Sequence, residues 1–461
     1  MIKQTLFFIF ALSILILMAC SKDFLEGPEV MNDPNRATDV SADQLFNAIQ
    51  AKAFFMMEGN LSRVSNIWMQ TLAGTDRQMG DVAEYVYTDN ETGDEMDDMY
   101  TDGGLVDIRE LQKKTEEAGN RIYLGIAKIY EVLIMSTAAS LYGDLPYSEA
   151  ISDIETPKLD SQESIYNALQ SLIDEAILDL ESGDVGELLA NSPQNDVNFG
   201  ADPSKWLGVA YTLKARLYMH WAEVYPSYYQ LAMEAAQQGI ASNADNLQSI
   251  HSTELNEEWG YYTFFNQRDS YIRAGEHLID LLKSRQDPRL ALYFDPNTDG
   301  EYTGAIPGER NPSVSNLSEA EFLNPAHYQD LVSWEENQLI IAECEYQAGD
   351  EAGAIAKVNE TRRGIETRWG FEPMSLGELA NISGEDLLTE IINEKYIAQF
   401  LNIEIYNDWK RTNMPVLVPY GGGNPLIKIP RRYYYSPDER NANPNIPTTS
   451  QQPVRNANDP N

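Results

Sequence analysis

Between about Arg109 and Tyr142 the apolar residues Leu111, Ile122, Leu124, Ile126, Ile129, Val132, Leu133 and Ala138 recur at mainly helical spacing, and Gly143 closes the run. An apolar stripe of that length must be covered by other elements. The spacing predicts one long helix or a helix pair here, and it demands partner helices. The chain supplies them. Ser41 opens a helix through Leu45, Phe46, Ile49, Ala53 and Met57, and further helices are predicted at about 162–182, 204–224, 227–241, 276–285, 333–348, 351–363 and 385–410. The fold class is therefore mainly α. Three stretches lose periodicity: about 75–106, 243–325 (a helix at 276–285 apart) and 411–461, and these read as loop-rich insertions. Loops of that length inside a compact chain usually carry function.

The long series is packed without covalent help. The 461 residues hold two cysteines, Cys20 and Cys344. Cys344 lies in the apolar helical run from Leu339 and reads as a small core residue. Cys20 follows Lys3, an apolar stretch from Leu6 to Met18 and the small residue Ala19. That order is a secretory signal, and a small residue before Cys resembles a bacterial lipobox, in which Cys20 is lipidated and becomes the first mature residue. Several acyl chains on one cysteine make a stable anchor, because each buried methylene contributes about 0.8 kcal/mol. The expected organisation is a signal peptide at 1–19, a tether at 20–40 and a single domain at 41–461. No second membrane span is expected. The formal charge of −39, from 33 basic and 72 acidic residues, argues against nucleic acid as a partner.

Tandem helical repeats are suggested by Tyr346-x-x-Gly349-Asp350-x-x-x-Ala354, which resembles a tetratricopeptide turn, and by the alanine-rich pair from Trp206 to Ala241. More specific strings run along the chain in order. They are Cys20 with Asp23-Phe24-Leu25, Tyr142-Gly143-Asp144-Leu145-Pro146-Tyr147-Ser148-Glu149-Ala150, Trp206 with Leu213-Lys214-Ala215-Arg216-Leu217, and Asp287-Pro288-Arg289. Glu336…Leu339-Ile340-x-Ala342-Glu343, Glu394-Lys395-Tyr396, Asp408-Trp409-Lys410-Arg411-Thr412 and Ile429-Pro430-Arg431-Arg432-Tyr433 come after them. Together, from residue 20 to about 445, they resemble the SusD/RagB family of outer-membrane lipoproteins. The resemblance implies a right-handed tetratricopeptide-like superhelix with a loop-rich ligand-binding region. It implies a lipid-anchored, surface-exposed position on the cell outer membrane. It implies a SusC-like TonB-dependent transporter as partner, and binding of nutrient oligosaccharides, or in some members peptides, without catalysis. The strings themselves read as structural: Gly143 ends a helix, Asp144 accepts backbone N–H bonds, and Asp287-Pro288-Arg289 ties a loop to the scaffold through a charged pair.

Sugars present C–H faces that stack on rings and hydroxyls that need amides and charges, so a site requires exposed aromatics beside polar groups on fixed loops. The segment Glu257 to Arg268 places Trp259, Tyr261, Tyr262, Phe264 and Phe265 within seven positions, read here as lacking helical period. Trp259, Tyr261 and Tyr262 are the expected ligand contacts, with Phe264 and Phe265 as plugs. Trp68, Asp76 and Arg77 form a second candidate. Tyr85, Tyr87 and Tyr100 in the first loop suit either ligand or transporter. Asp295-x-Asn297-x-Asp299-Gly300 resembles the start of a calcium loop, but Ile306 stands at the twelfth position where a bidentate Glu is needed; no cofactor is expected and structural calcium is not supported. The histidines His220, His251, His277 and His327 have no metal-site spacing, and no nucleophile or phosphate-loop string occurs. A secreted glycoside hydrolase, using two of the many carboxylates, is the alternative from a different class.

Overall fold

The computed structural model describes residues 40–86, 88–89, 93–186, 195–421, 424 and 426–461. Cys20, the signal and tether segments below residue 40, and Tyr87 lie outside the described residues. The elements begin with α1 (Ala42–Glu58), α2 (Asn60–Trp68), β1 (Leu72–Gly74), α3 (Arg77–Ala83), α4 (Gly93–Asp98), α5 (Leu105–Glu117), α6 (Arg121–Tyr142) and α7 (Gln162–Ser182). They continue with α8 (Pro203–Met219), α9 (Tyr228–Ala236), β2 (Leu247–Ser249), α10 (Gly260–Gln267), β3 (Ile272–Ala274), α11 (Glu276–Arg285) and α12 (Arg289–Tyr293). Last come β4 (Phe294–Asp295), β5 (Asn316–Leu317), β6 (Gln329–Val332), α13 (Trp334–Gln347), α14 (Glu351–Trp369), α15 (Gly384–Ala398), α16 (Glu404–Thr412) and α17 (Pro437–Ala442).

The predicted long segment is a pair. It breaks between α5 and α6, where Gly119 takes a left-handed φ of +67° and Asn120 caps α6 by accepting the Tyr123 N–H at 3.1 Å. Packing runs from α5 to α6, α6 to α7, α7 to α8, α8 to α9, α9 to α13 and α13 to α14, so helix hairpins stack side by side as in a repeat scaffold. By length and composition α6 could cross a membrane, contrary to the expectation that no second such segment occurs. Its most apolar window is 94% buried inside the protein, so it is the central core helix. Phe46 of α1 and Trp206 of α8 pack on Tyr130 of α6 with ring centroids 6.1 and 5.5 Å away.

The C-terminal end of α6 explains the Tyr142–Ala150 string. A helix leaves its last four carbonyls without intrahelical partners. Here Ala139 O accepts from Gly143 N at 3.0 Å and from the Gln162 side-chain amide at 2.9 Å. Ser140 O accepts from Asn456 at 2.7 Å and from the Lys410 ammonium, Leu141 O from Tyr433 N at 2.9 Å, and Tyr142 O from the Arg432 guanidinium. Gly143 sits at φ +83°, and a Cβ there would come within 2.8 Å of Asn456 Oδ1. Asp144 accepts the Gln162 N–H at 2.8 Å, as expected of it. The last thirty or so residues are thus fastened around one helix end.

The remaining strings meet as buried ion pairs. Arg216 bonds Glu336 through two nitrogens at 2.6 Å. Arg289 reaches Asp287 at 2.7 Å and Glu394 at 2.7 Å, and Glu394 also takes Arg362 at 2.8 Å. Lys395 bonds Glu343 at 3.1 Å and Asp408 at 2.9 Å, and Arg411 bonds the same two carboxylates. Cys344, buried against Met219 with sulfurs 3.7 Å apart, is the core residue expected, and burial pushes its thiol well up.

The loop-rich stretches are more built than their sequence suggests. In 75–106, Met79, Val82, Met96 and Met99 are buried and α3 and α4 form. Among the described residues three two-stranded antiparallel pairs, β1–β3, β2–β6 and β4–β5, tie the long connections together. Of these, the β2–β6 pair delivers the segment after Ser249 to the face of α1, where an open cleft forms.

Candidate functional site

A cavity of about 1080 Å³ opens between α1, the segment 250–258 and α10. Phe54 and Phe55 are consecutive on α1 and cannot share a face. Phe54 turns inward, while the Phe55 ring stands 60% exposed on the cavity wall. Leu255, 80% exposed, is another apolar group of the lining. Below them His251 is held on both sides. Its Nε2 lies 2.8 Å from Glu58 Oε1 and its Nδ1 lies 3.2 Å from Glu257 O, while Glu58 Oε2 accepts the Gly260 N–H at 3.1 Å. Gln50 is fixed by Asn195 O at 2.7 Å and Val197 N at 3.2 Å. Arg63 and Arg268 place their guanidinium carbons 4.4 and 5.2 Å from the centroid of the Phe264 ring. Burial holds the Arg63 guanidinium down to about 10. Exposed Asn47 and Asn256 supply further amides. Rings, amides and charges on a rigid wall are what a polar, ring-shaped ligand needs.

Of the three side chains expected to meet a ligand in this segment, two are placed where none can reach them. Trp259 and Tyr261 are fully buried and offer no face to a ligand. Trp259 donates to Gln329 Oε1 at 3.3 Å, stacks on Tyr261 at 5.1 Å and meets the His327 ring at a tilt at 4.5 Å, while Tyr261 bonds Ser62 at 2.8 Å. The reason is periodicity. Tyr261, Phe264 and Phe265 stand at i, i+3 and i+4, and they form the buried face of α10. Tyr262 falls off that face and is half-buried against the core. Phe264 and Phe265 are plugs, as expected.

Trp68 is likewise core, its indole N–H on Val82 O at 3.3 Å and its ring 5.0 Å from Tyr433. Asp76 caps α3 and also accepts Ser270 Oγ at 2.7 Å, a hydrogen bond that lowers its carboxyl below the usual range. Arg77, 72% exposed in its side chain, lies 5.9 Å over Tyr271. This pair is outside the cavity lining, so the candidates do not converge on one site. Tyr85 and Tyr100 face inward: Tyr85 Oη accepts the Tyr420 N–H at 3.3 Å and Tyr100 donates to Pro146 O at 2.9 Å. In the calcium-like turn, Asn297 Oδ1 already accepts the N–H groups of Asp299 and Glu301, both at 3.0 Å. Among the described residues no group of three or more His, Cys, Asp or Glu is arranged to hold a metal.

Sequence reasoning missed Phe55, His251 and Arg63. Phe55 had a signal, an aromatic next to Phe54 and off the stripe of α1. His251 and Arg63 had none, because the groups that bring them into the wall, Glu58 and the Phe264 ring, lie about 200 residues away in the chain.

Stacked helix hairpins carrying an open cleft on their loop side define a helical-repeat binding scaffold. The chain belongs to the SusD-like family, described as starch-binding and associating with the outer membrane, whose family model matches residues 34–436. The structure is similar to that of a chitin-binding protein at a TM-score of 0.77 and 23% identity, covering 91% of this chain and 100% of that one. It is similar to a chitin-binding SusD homolog from Flavobacterium johnsoniae at 0.75 and 21%, covering 90% and 97%. A SusD/RagB family protein from Bacteroides thetaiotaomicron matches at 0.72 and 20%, covering 88% and 95%. At these identities the likeness establishes the shared fold. No curated protein matches the chain in sequence.

Proposed function

We propose that this chain is a non-catalytic, lipid-anchored protein of the outer cell surface that captures nutrient oligosaccharides in the α1–α10 cavity and passes them to a SusC-like TonB-dependent transporter. The observation that carries the reading is the cavity itself. Its volume of about 1080 Å³ suits several sugar rings, and its lining joins an exposed ring, Phe55, to amides and charges. Membership of a family described as starch-binding, and two fold neighbours described as chitin-binding, support a glycan over other nutrients. Anchoring at Cys20 rests on the lipobox resemblance, and the transporter partner on the family. Asp76 and Arg77 stand as an outlying contact for a long glycan.

Calorimetric titration of the detergent-solubilised chain with chitin and starch oligosaccharides, and with peptides of similar length, tests the reading. Saturable binding of a glycan without product release is expected. Binding confined to peptides, or hydrolysis of the glycan, would contradict it.

A further inference from the structure

In a chain with 72 acidic residues against 33 basic ones, an arginine without a side-chain carboxylate is unusual. Most arginines among the described residues have one. Arg432 and Arg455 do not: Arg432 bonds carbonyl and amide oxygens, and Arg455 bonds the Asn461 main-chain oxygen. The other two are Arg63 and Arg268, both in the cavity wall. Among the described residues neither comes within ion-pair distance of a carboxylate. Arg63 donates to Glu58 O at 3.3 Å and leaves its buried Nε without a partner. Arg268 donates to the Gln267 side chain at 3.1 Å. Both guanidinium carbons lie against the Phe264 ring, 4.4 and 5.2 Å from its centroid, so the two groups are within about 10 Å of each other. Each raises the cost of the other's charge, and an anion between them relieves both.

Glu257 and Glu258 of the same wall stand at the opposite end of α10 from Arg268, and Glu58 lies beside Arg63 with its carboxylate turned to other partners. Glu58 is engaged by His251 and Gly260 N, and Glu257 accepts the Ser252 hydroxyl at 2.6 Å. Glu258 precedes α10 and makes no hydrogen bond or ion pair among the described residues. From Glu258 to Arg268 the helix advances roughly 12 Å or more, so Arg268 stands well away from Glu257 and Glu258.

We propose, resting on the glycan-binding reading above, that the cleft selects oligosaccharides bearing an anionic substituent, a uronate carboxylate or a sulfate ester, seated between Arg63 and Arg268. Guanidinium forks suit both groups. The test is calorimetry of the full chain with matched pairs: oligogalacturonate and its methyl ester, oligoguluronate and its carboxyl-reduced form, and sulfated and desulfated carrageenan oligosaccharides. Chitotriose and a free-carboxylate peptide complete the panel. In at least one pair the charged member binds about tenfold or more tightly, its advantage shrinks as salt is raised, and it disappears in Arg63→Gln/Arg268→Gln. The pair that responds tells carboxylate from sulfate. The salt series on the unaltered chain keeps the test valid should the double variant fold poorly. If every neutral member or chitotriose binds as well as the charged ones, with no salt effect, selection of anions is wrong and glycan binding stands. If only the peptide binds, the glycan reading falls and this inference with it.

Discussion

Phe55 and Trp259 are both aromatic and lie close to the same cleft, yet burial gives them opposite roles. Phe55 is 60% exposed and carries little of the fold, so Phe55→Ala should leave stability within about 0.5 kcal/mol. The same change should weaken oligosaccharide binding about tenfold, about 1.4 kcal/mol, by calorimetry. Trp259 has no exposed surface, and Trp259→Ala should destabilise by about 3–5 kcal/mol in urea unfolding. A Trp259→Ala protein of unaltered stability would show the ring to be outside the core. The contrast marks what was legible at this scale. The segment 257–268, which lines the cavity, stood out because aromatics and charges concentrate there. The direction each ring faces was not, because it depends on the helical face formed by Tyr261, Phe264 and Phe265 and on Gln329 and His327, which approach from about 70 residues away.

At the level of elements, the helices were legible because apolar period and caps coincide. Ser161 opens α7 by accepting the Ser164 N–H, and α7 ends at Gly183 in the left-handed region, as its sequence indicates. The breaks inside the long connections were less so, since α3, α4 and α10 are held by partners and not by their own propensity. The end of α6 is the joint on which most depends. Gly143→Ala combines a left-handed backbone with a clash on Asn456, and should cost about 1–2 kcal/mol or more by denaturant midpoint. A variant as stable as the parent would mean that Asn456 does not close this end.

The buried ion pairs between elements set the acid response. Burial alone would raise the Glu394 carboxyl, but Arg289, Arg362 and Arg285 outweigh it and hold it down at about 2. Arg411 and Lys395 lower Glu343 in the same way against its burial. A carboxyl lowered in the folded state contributes stability in full above its unfolded value near 4.5, and loses it as pH falls toward 2. Glu394→Gln removes the buried anion that Arg289, Arg362 and Arg285 share, leaving Arg289 only Asp287 and Arg362 only Glu390, and should cost about 3 kcal/mol at neutral pH. The difference from the parent should shrink between pH 4.5 and 2. A difference constant across that range would remove Glu394 as a source of acid sensitivity.

For the whole molecule, the family strings and the α1–α10 cavity occupy different parts. Arg216, Arg289, Glu336, Glu343, Glu394 and Lys395 join helices to one another, away from the cavity. A family can therefore keep its frame while the lining of its cleft varies, and the strings that identify this chain say little about its ligand. The account stands on one claim, that a sugar chain occupies the cleft between α1 and α10. A crystal structure of the chain grown with the oligosaccharide that binds it most tightly measures this directly. The account predicts sugar density against the Phe55 ring and within reach of Arg63 and Arg268. Density seated instead at Asp76 and Arg77, with the α1–α10 cleft filled by solvent, would contradict it.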